Sequence, residues 1–242
     1  MNISIITVCK NAESYIERSI QSVINQNYHN FQYIMIDGKS FDSTMSIINK
    51  YKNEIDLVIS EEDSGIYNAM NKALKFVSGD VIYFLNADDR LYDNKILSDI
   101  EKEFKKYPKA EIIYGNVAIN LNGQKKVLKY NKVNKKYFYK NTICHQAFFG
   151  KKSLYDLIKG FDENYTIHAD VDWLMKAYFK YKANFHYFNR IICNYSSEGY
   201  SSNPIYAEKH KYDRQEISAK YFLEAQIKFR IKKTLVKLGL YN

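Results

Sequence analysis

Through its first ninety residues the chain alternates short apolar runs with amphipathic stretches, and this alternation restricts the fold more than any other feature. Residues 3–8 and 31–36 are apolar and β-branched enough to be strands. Between them, Tyr15, Ile16, Ser19, Ile20 and Val23 recur at helical spacing. Asp42 then has the chemistry of an N-cap for a helix carrying Met45, Ile47, Ile48 and Tyr51. Residues 55–59 predict a third strand and residues 66–77 a third helix, before Gly79 breaks the chain ahead of a fourth strand at 81–85. Such βαβ alternation implies an α/β fold with a mostly parallel sheet and helices on both faces. Ligands on sheets of that kind bind at the carboxyl ends of the strands.

Three of those ends are polar. The first strand runs into Thr7-Val8-Cys9-Lys10-Asn11, the second into Asp37-Gly38-Lys39-Ser40, and the fourth into Asn86-Ala87-Asp88-Asp89. Adjacent aspartates place like charges side by side, which is costly unless a cation lies between them. Hard divalent ions such as Mg²⁺ or Mn²⁺ take carboxylate ligands and can carry a diphosphate on their open positions. The competing reading of Asp88-Asp89-Arg90 is a solvated turn. Neither GxGxxG nor GxxxxGK[ST] occurs, which removes the main support for a dinucleotide fold or a P-loop NTPase.

The 242 residues suffice for one large domain, or one domain with an appendage. A formal net charge of +9 favours anionic partners without choosing among them. No zinc-finger spacing or RNP-type aromatic motif accompanies it, so nucleic acid is not an expected partner. Cys9, Cys144 and Cys193 are scattered and odd in number, which fits a reducing cytoplasm rather than a disulfide framework. The N-terminus has no basic n-region, and no apolar run reaches the ~20 residues that span a bilayer.

The second half is more mixed. Asn122-Gly123, between residues 112–119 and 125–130, is a hairpin signal. Residues 153–158 and 171–181 predict helices, and 184–188 with 190–195 short strands. From about Tyr206 the chain predicts a long helix rich in Lys and Arg.

Together these segments resemble the family 2 glycosyltransferases. The resemblance runs from Ile3 to about Ser202. Its first part is Ile5-Ile6-Thr7-Val8-Cys9-Lys10-Asn11, Ile36-Asp37-Gly38-Lys39-Ser40-Phe41-Asp42-Ser43-Thr44 and Asp63-Ser64-Gly65-Ile66-Tyr67-Asn68-Ala69-Met70-Asn71-Lys72. Gly79-Asp80 and Asn86-Ala87-Asp88-Asp89 follow, then Cys144-His145-Gln146, Gly160-Phe161-Asp162, Ala169-Asp170-Val171-Asp172-Trp173-Leu174 and Gly199-Tyr200-Ser201. Each motif alone is weak; their order and spacing carry the likeness.

The resemblance implies a GT-A (Rossmann-like) fold and an inverting, metal-dependent transfer from a nucleotide-sugar, a UDP-sugar first among them. It implies a nucleotide-binding half over about 1–119 and an acceptor-side half over about 120–204; the residue pattern itself adds a basic amphipathic helical tail at 205–242. Asp88 aligns with the family's Mn²⁺- or Mg²⁺-binding aspartate, with Asp89 beside it. Asn86 and Ala87 occupy the start of the DxD-like motif, with Asn86 near the ribose. Thr7, Val8 and Asn11 border the nucleotide, and Asp37 aligns with the residue that meets the base. Asn68, Asn71 and Lys72 share a helix face and would reach the nucleotide or its phosphates; otherwise that face is merely polar. Asp170 matches the general base, though N-capping a helix would also suit it. His145 and Gln146 match an acceptor- and diphosphate-side motif. Trp173 is either a platform for a sugar ring or core.

The tail interleaves Lys228, Arg230, Lys232, Lys233 and Lys237 with Phe229, Ile231, Leu235 and Leu238. That pattern suits an anionic membrane surface carrying a polyprenyl-linked or other glycan acceptor; packing on the domain and a homo-oligomer contact are the alternatives. The expectation is therefore a cytoplasmic or peripheral-membrane transferase of bacterial surface-glycan assembly (capsule, lipopolysaccharide or exopolysaccharide). Two alternatives are a sugar-phosphate nucleotidyltransferase and a non-catalytic basic module on the same fold.

Overall fold

The computed structural model describes residues 1–121, 124–196 and 204–223, with residues 227, 230, 231 and 234. Asn122-Gly123, Gly199-Tyr200-Ser201 and most of the basic tail (Lys228, Phe229, Lys232, Lys233, Leu235, Lys237 and Leu238) lie outside the described residues.

The expected alternation is present: β1 (Ile3–Cys9), α1 (Ile16–Ile24), β2 (Phe31–Asp37), α2 (Thr44–Lys50), β3 (Leu57–Ser60), α3 (Ile66–Leu74) and β4 (Val81–Phe84). Every residue of β1 and β4 is buried, as strands covered on both faces require. Helix α2 starts two residues after Asp42, whose carboxylate accepts the Thr44 amide at 3.0 Å. Two-residue β5 (Arg90–Leu91) leads to α4 (Ile96–Lys106). There follow β6 (Ile112–Leu121), β7 (Gln124–Leu128), α5 (Lys135–Lys140), β8 (Phe148–Lys151), α6 (Lys152–Ile158), α7 (Ala169–Met175), β9 (Phe185–Tyr195) and α8 (Ala207–Tyr221).

The described strands form one sheet in the order β3-β2-β1-β4-β8-β6-β9-β5, with β7 hairpinned onto β6. Strands β3, β2, β1 and β4 are mutually parallel. Beyond them β8 is antiparallel to both β4 and β6, and β9 runs parallel to β6. The parallel character therefore stops at β4, and the second half of the sheet is mixed. Residues 184–188 and 190–195 are one strand rather than two, joined across a register shift against Tyr114–Asn116.

One apolar cluster lies on each face. Ile3, Ile5, Tyr33, Tyr83 and Phe149 point to the side of α1 and α4; Ile6, Ile34, Ile36, Phe84 and Phe148 point to the side of α3, α6 and α7. Helix α8 packs on this second side, burying Ile217 and Phe222. No described helix is long and apolar enough to cross a membrane.

Candidate active site

The carboxyl ends of β1 and β4 open into two adjoining cavities. The first, about 300 Å³, is lined by Val8, Asn11, Tyr15, Asp63, Asn86 and Asp88, among others. The second, about 170 Å³, is lined by Tyr67, Asp88, Asp89, His145, His168 and Asp170 among others. Ile66, Asn86 and Asp88 border both, so Asp88 stands where one cavity passes into the next. Ala87 borders the first and Gln146 the second.

Asp170 lies in the first turn of α7, whose N-cap position is His168 rather than Asp170. One Asp170 oxygen accepts the Tyr67 hydroxyl at 2.9 Å and its own neighbour's Val171 amide at 2.9 Å. The other is 3.1 Å from His145 Nδ1, and His145 Nε2 is 3.1 Å from the Asn86 side-chain oxygen. A polar chain thus runs from α7 through the His145–Ala147 turn to the end of β4. Burial alone would raise the Asp170 carboxyl. The hydrogen bond and charge of His145, the charge of His168 and the Tyr67 hydroxyl outweigh it and hold the group below the usual carboxylate range. Asp170 is therefore an ionised carboxylate held in one orientation.

Asp89 is almost wholly buried. Its two oxygens accept Gln146 Nε2 at 2.8 Å and the Ser196 amide at 2.7 Å. Burial, then the neighbouring Asp88 charge, pushes Asp89 up to about 8; burial likewise raises Asp88. These shifts mark a negative pair short of compensation, which a divalent cation would relieve. Among the described residues no three His, Cys, Asp or Glu side chains gather to hold a metal by themselves. The donor set fits an ion held by Asp88 and completed by diphosphate and water oxygens, as Mg²⁺ and Mn²⁺ accept. Asp89, with both oxygens engaged, orients this corner rather than supplying a free ligand.

Several expected contacts are corrected by the geometry. Ile66 and Ala69 turn toward the cleft, and Asn68 sits about 200° round the helix from Ile66. Asn68 and Asn71 therefore bind Glu163, and Asn71 also brackets Phe161 through both its backbone groups. Lys72 pairs with Glu61 at 2.8 Å. That helix face ties down neighbouring loops and does not reach the cleft. Asp37 is fully buried behind it, accepting bonds from Ser40 and from Ser60 at 2.6 Å. Thr7 is also buried, 3.2 Å from the Tyr33 hydroxyl. Trp173 is core: it stacks on Tyr155 at 4.2 Å and on Phe148 at 5.7 Å between ring centroids.

Other lining residues escaped the sequence reading. Asp63 opens the motif that ends in Lys72, and its carboxylate accepts the Gly65 amide at 3.0 Å. Gly38 packs against it: a Cβ there would lie 2.3 Å from an Asp63 oxygen, so any side chain at 38 would displace the Asp63 carboxylate. Tyr67 had a signal, being the one hydroxyl on the helix that the motif opens. His210, brought in by α8, had none.

The glycosyl transferase family 2 model matches residues 4–167. A Mycobacterium tuberculosis PGL/p-HBAD biosynthesis glycosyltransferase is 25% identical over 205 residues, covering 84% of this chain and 79% of that protein. S. aureus TarS (residues 1–349), solved with UDP, superposes with a TM-score of 0.74 at 20% identity, over 91% of this chain. This chain spans 65% of that TarS chain. The mannosyltransferase PcManGT of Pyrobaculum calidifontis, solved with GDP-Man and Mn²⁺, gives 0.65 at 15% identity over 93% of this chain and 63% of its own. These structures share the α/β GT-A architecture of the sheet described above. The chain belongs to glycosyl transferase family 2.

Proposed function

We propose that this protein is an inverting glycosyltransferase moving a sugar from a UDP-sugar to a neutral hydroxyl of a glycan, free or carried on a lipid. The observation that carries this reading is the single cleft with Asp88 at its waist and Asp170 on one side. The larger cavity takes the nucleotide, with Val8, Asn11, Tyr15 and Asp63 on its walls. TarS solved with UDP and PcManGT solved with GDP-Man and Mn²⁺ share this fold and support a nucleotide-sugar donor. The family membership favours this reading over a nucleotidyltransferase or a non-catalytic basic module.

Asp170 takes the proton from the acceptor hydroxyl as its oxygen attacks the anomeric carbon. The bond from that carbon to the diphosphate breaks on the opposite face, so the configuration inverts and UDP departs. Tyr67 and His145 hold the base in line; Asn86 fixes the far nitrogen of His145. A Mn²⁺ or Mg²⁺ ion at Asp88, when bound, neutralises charge gathering on the leaving diphosphate. No Lys or Arg is among the described residues lining the smaller cavity, which carries three carboxylates and three imidazoles. That chemistry suits a hydroxyl-rich, uncharged acceptor end and repels a phosphorylated one.

The test is UDP release from a panel of UDP-sugars with Mn²⁺ or Mg²⁺ and added glycans, with Asp170→Asn as control. Acceptor-dependent release that Asp170→Asn abolishes is expected. Equal release by the variant would remove Asp170 as base, and no metal-dependent binding of any nucleoside diphosphate would sink the whole reading.

A further inference from the structure

His145 and Asp170 are 25 positions apart on separate elements, yet their side chains meet at 3.1 Å in the cleft. On the core side their supporting segments are locked by the stacked pair Phe148 and Trp173. On the other side one helix, α8, spans them. Arg214 Nη2 donates to the Phe138 carbonyl at 3.2 Å and the Asn141 carbonyl at 2.8 Å. These are carbonyls at the C-terminal end of α5, an acceptor-rich helix end that suits a cation. The chain continues directly from them to His145. One turn earlier on α8, His210 Nδ1 lies 3.1 Å from His168 Nε2, two residues before Asp170. At its end, Lys220 and the Tyr221 hydroxyl reach the fully buried Asp172, two residues after Asp170, at 3.2 and 3.3 Å. Lys176 of α7's own continuation completes that buried group at 2.8 Å.

We propose that α8 is a positioning element of the catalytic site, in which Arg214, His210 and Lys220 together set the His145–Asp170 pair. The helix holds the approach to His145 at one point and brackets Asp170 at two, so the pair's separation is fixed from outside the cleft. Both bonds leave one nitrogen, so a Lys ammonium can make part of this arrangement but lacks the planar guanidinium that holds it. The match to the family model ends at residue 167, so helix α8 itself lies beyond the matched segment. The consequence for catalysis rests on the reading of Asp170 as base; the geometric claim does not.

The experiment measures the downfield proton signal of a hydrogen-bonded imidazole N–H by NMR, assigned to His145 through its loss in His145→Gln. Arg214→Met should abolish or broaden this signal, Arg214→Lys should restore it in part, and Lys211→Met, at an exposed position on the same helix, should leave it intact. In transfer assays Arg214→Met should lower kcat about 10- to 100-fold, the usual cost of a misplaced group, with nucleotide affinity within about twofold of the parent. If Arg214→Met does not fold, His210→Gln and Lys220→Met carry the same measurement from the other two contacts. A folded Arg214→Met whose His145 signal and kcat match the parent overturns the proposal. Loss of the signal in a protein that binds no UDP supports the clamp while removing the transferase reading, so the two failures are distinguishable.

Discussion

The two halves of the cleft are built in different ways. The wall of the larger cavity comes largely from the ends of β1 and β4, paired in a parallel ladder, and the start of α3. The wall of the smaller cavity draws on α3, the His145 turn, the start of α7, the end of β9 and α8, which are scattered over some 140 positions. The first wall is positioned by backbone hydrogen bonds that the sheet makes anyway. The second depends on side chains: Tyr67, His145, Asp170, His168, His210, Arg214. Polar side-chain networks of this sort set geometry when complete and fail together when one member is lost. The larger cavity should therefore tolerate substitutions that the smaller does not.

The largest effect expected on that contrast is at Asp170. Asp170→Asn should cost about 10²- to 10⁴-fold in transfer, the span of a lost general base, while UDP titrations remain close to the parent. Trp173→Ala tests the other reading of its residue. As a core ring stacked on Phe148 and Tyr155, it should cost about 3–5 kcal/mol in denaturant unfolding, whereas a sugar platform would lose acceptor affinity without losing stability.

Tyr67→Phe removes one hydrogen bond to a charged group, worth about 1.5–3 kcal/mol, so kcat should fall about 10- to 150-fold. Its pH profile is more telling. The carboxyl of Asp170 is depressed, so its contribution is present above the unfolded value and is lost as pH falls through the folded one. Removing Tyr67 takes away one of the groups that depress it, and the acid limb of kcat/KM should move to higher pH. A limb that stays in place would assign it to some other group. Asn71→Ala is the smallest change: about 1–3 kcal/mol of stability from the unpaired Phe161 groups, with nucleotide affinity unaltered. A nucleotide-binding defect without destabilisation would return α3's polar face to the cleft.

The same contrast explains how much was legible in the sequence. Strand ends were readable because a parallel sheet must deliver its carboxyl ends to one edge; Val8, Asn11, Asn86, Ala87 and Asp88 all line the cleft. Periodicity grouped Asn68, Asn71 and Lys72 on one face of α3, but a shared face says nothing of its direction. Only tertiary packing turned it toward Glu163 and Phe161. For Asp37 the resemblance points to the nucleobase, but its burial behind Ser40 and Ser60 is invisible in the sequence. Helix α4 was available in Ile96, Leu97, Ile100 and Phe104, all buried at helical spacing, yet it stands apart from every motif. His210 and Arg214 could not be found at all, because their partners are 42 and about 75 positions away. The tail expected to begin at 205 is, through α8, packed against the domain, with the smaller cavity on its His210 side.

The central claim is that a nucleotide site and a base meet at Asp88, and calorimetry of UDP with Mn²⁺ on the parent, Asp88→Asn and Asp170→Asn tests it most directly. The account predicts metal-dependent UDP binding that Asp88→Asn loses and Asp170→Asn keeps. Binding lost equally in both variants, or untouched in Asp88→Asn, would contradict it.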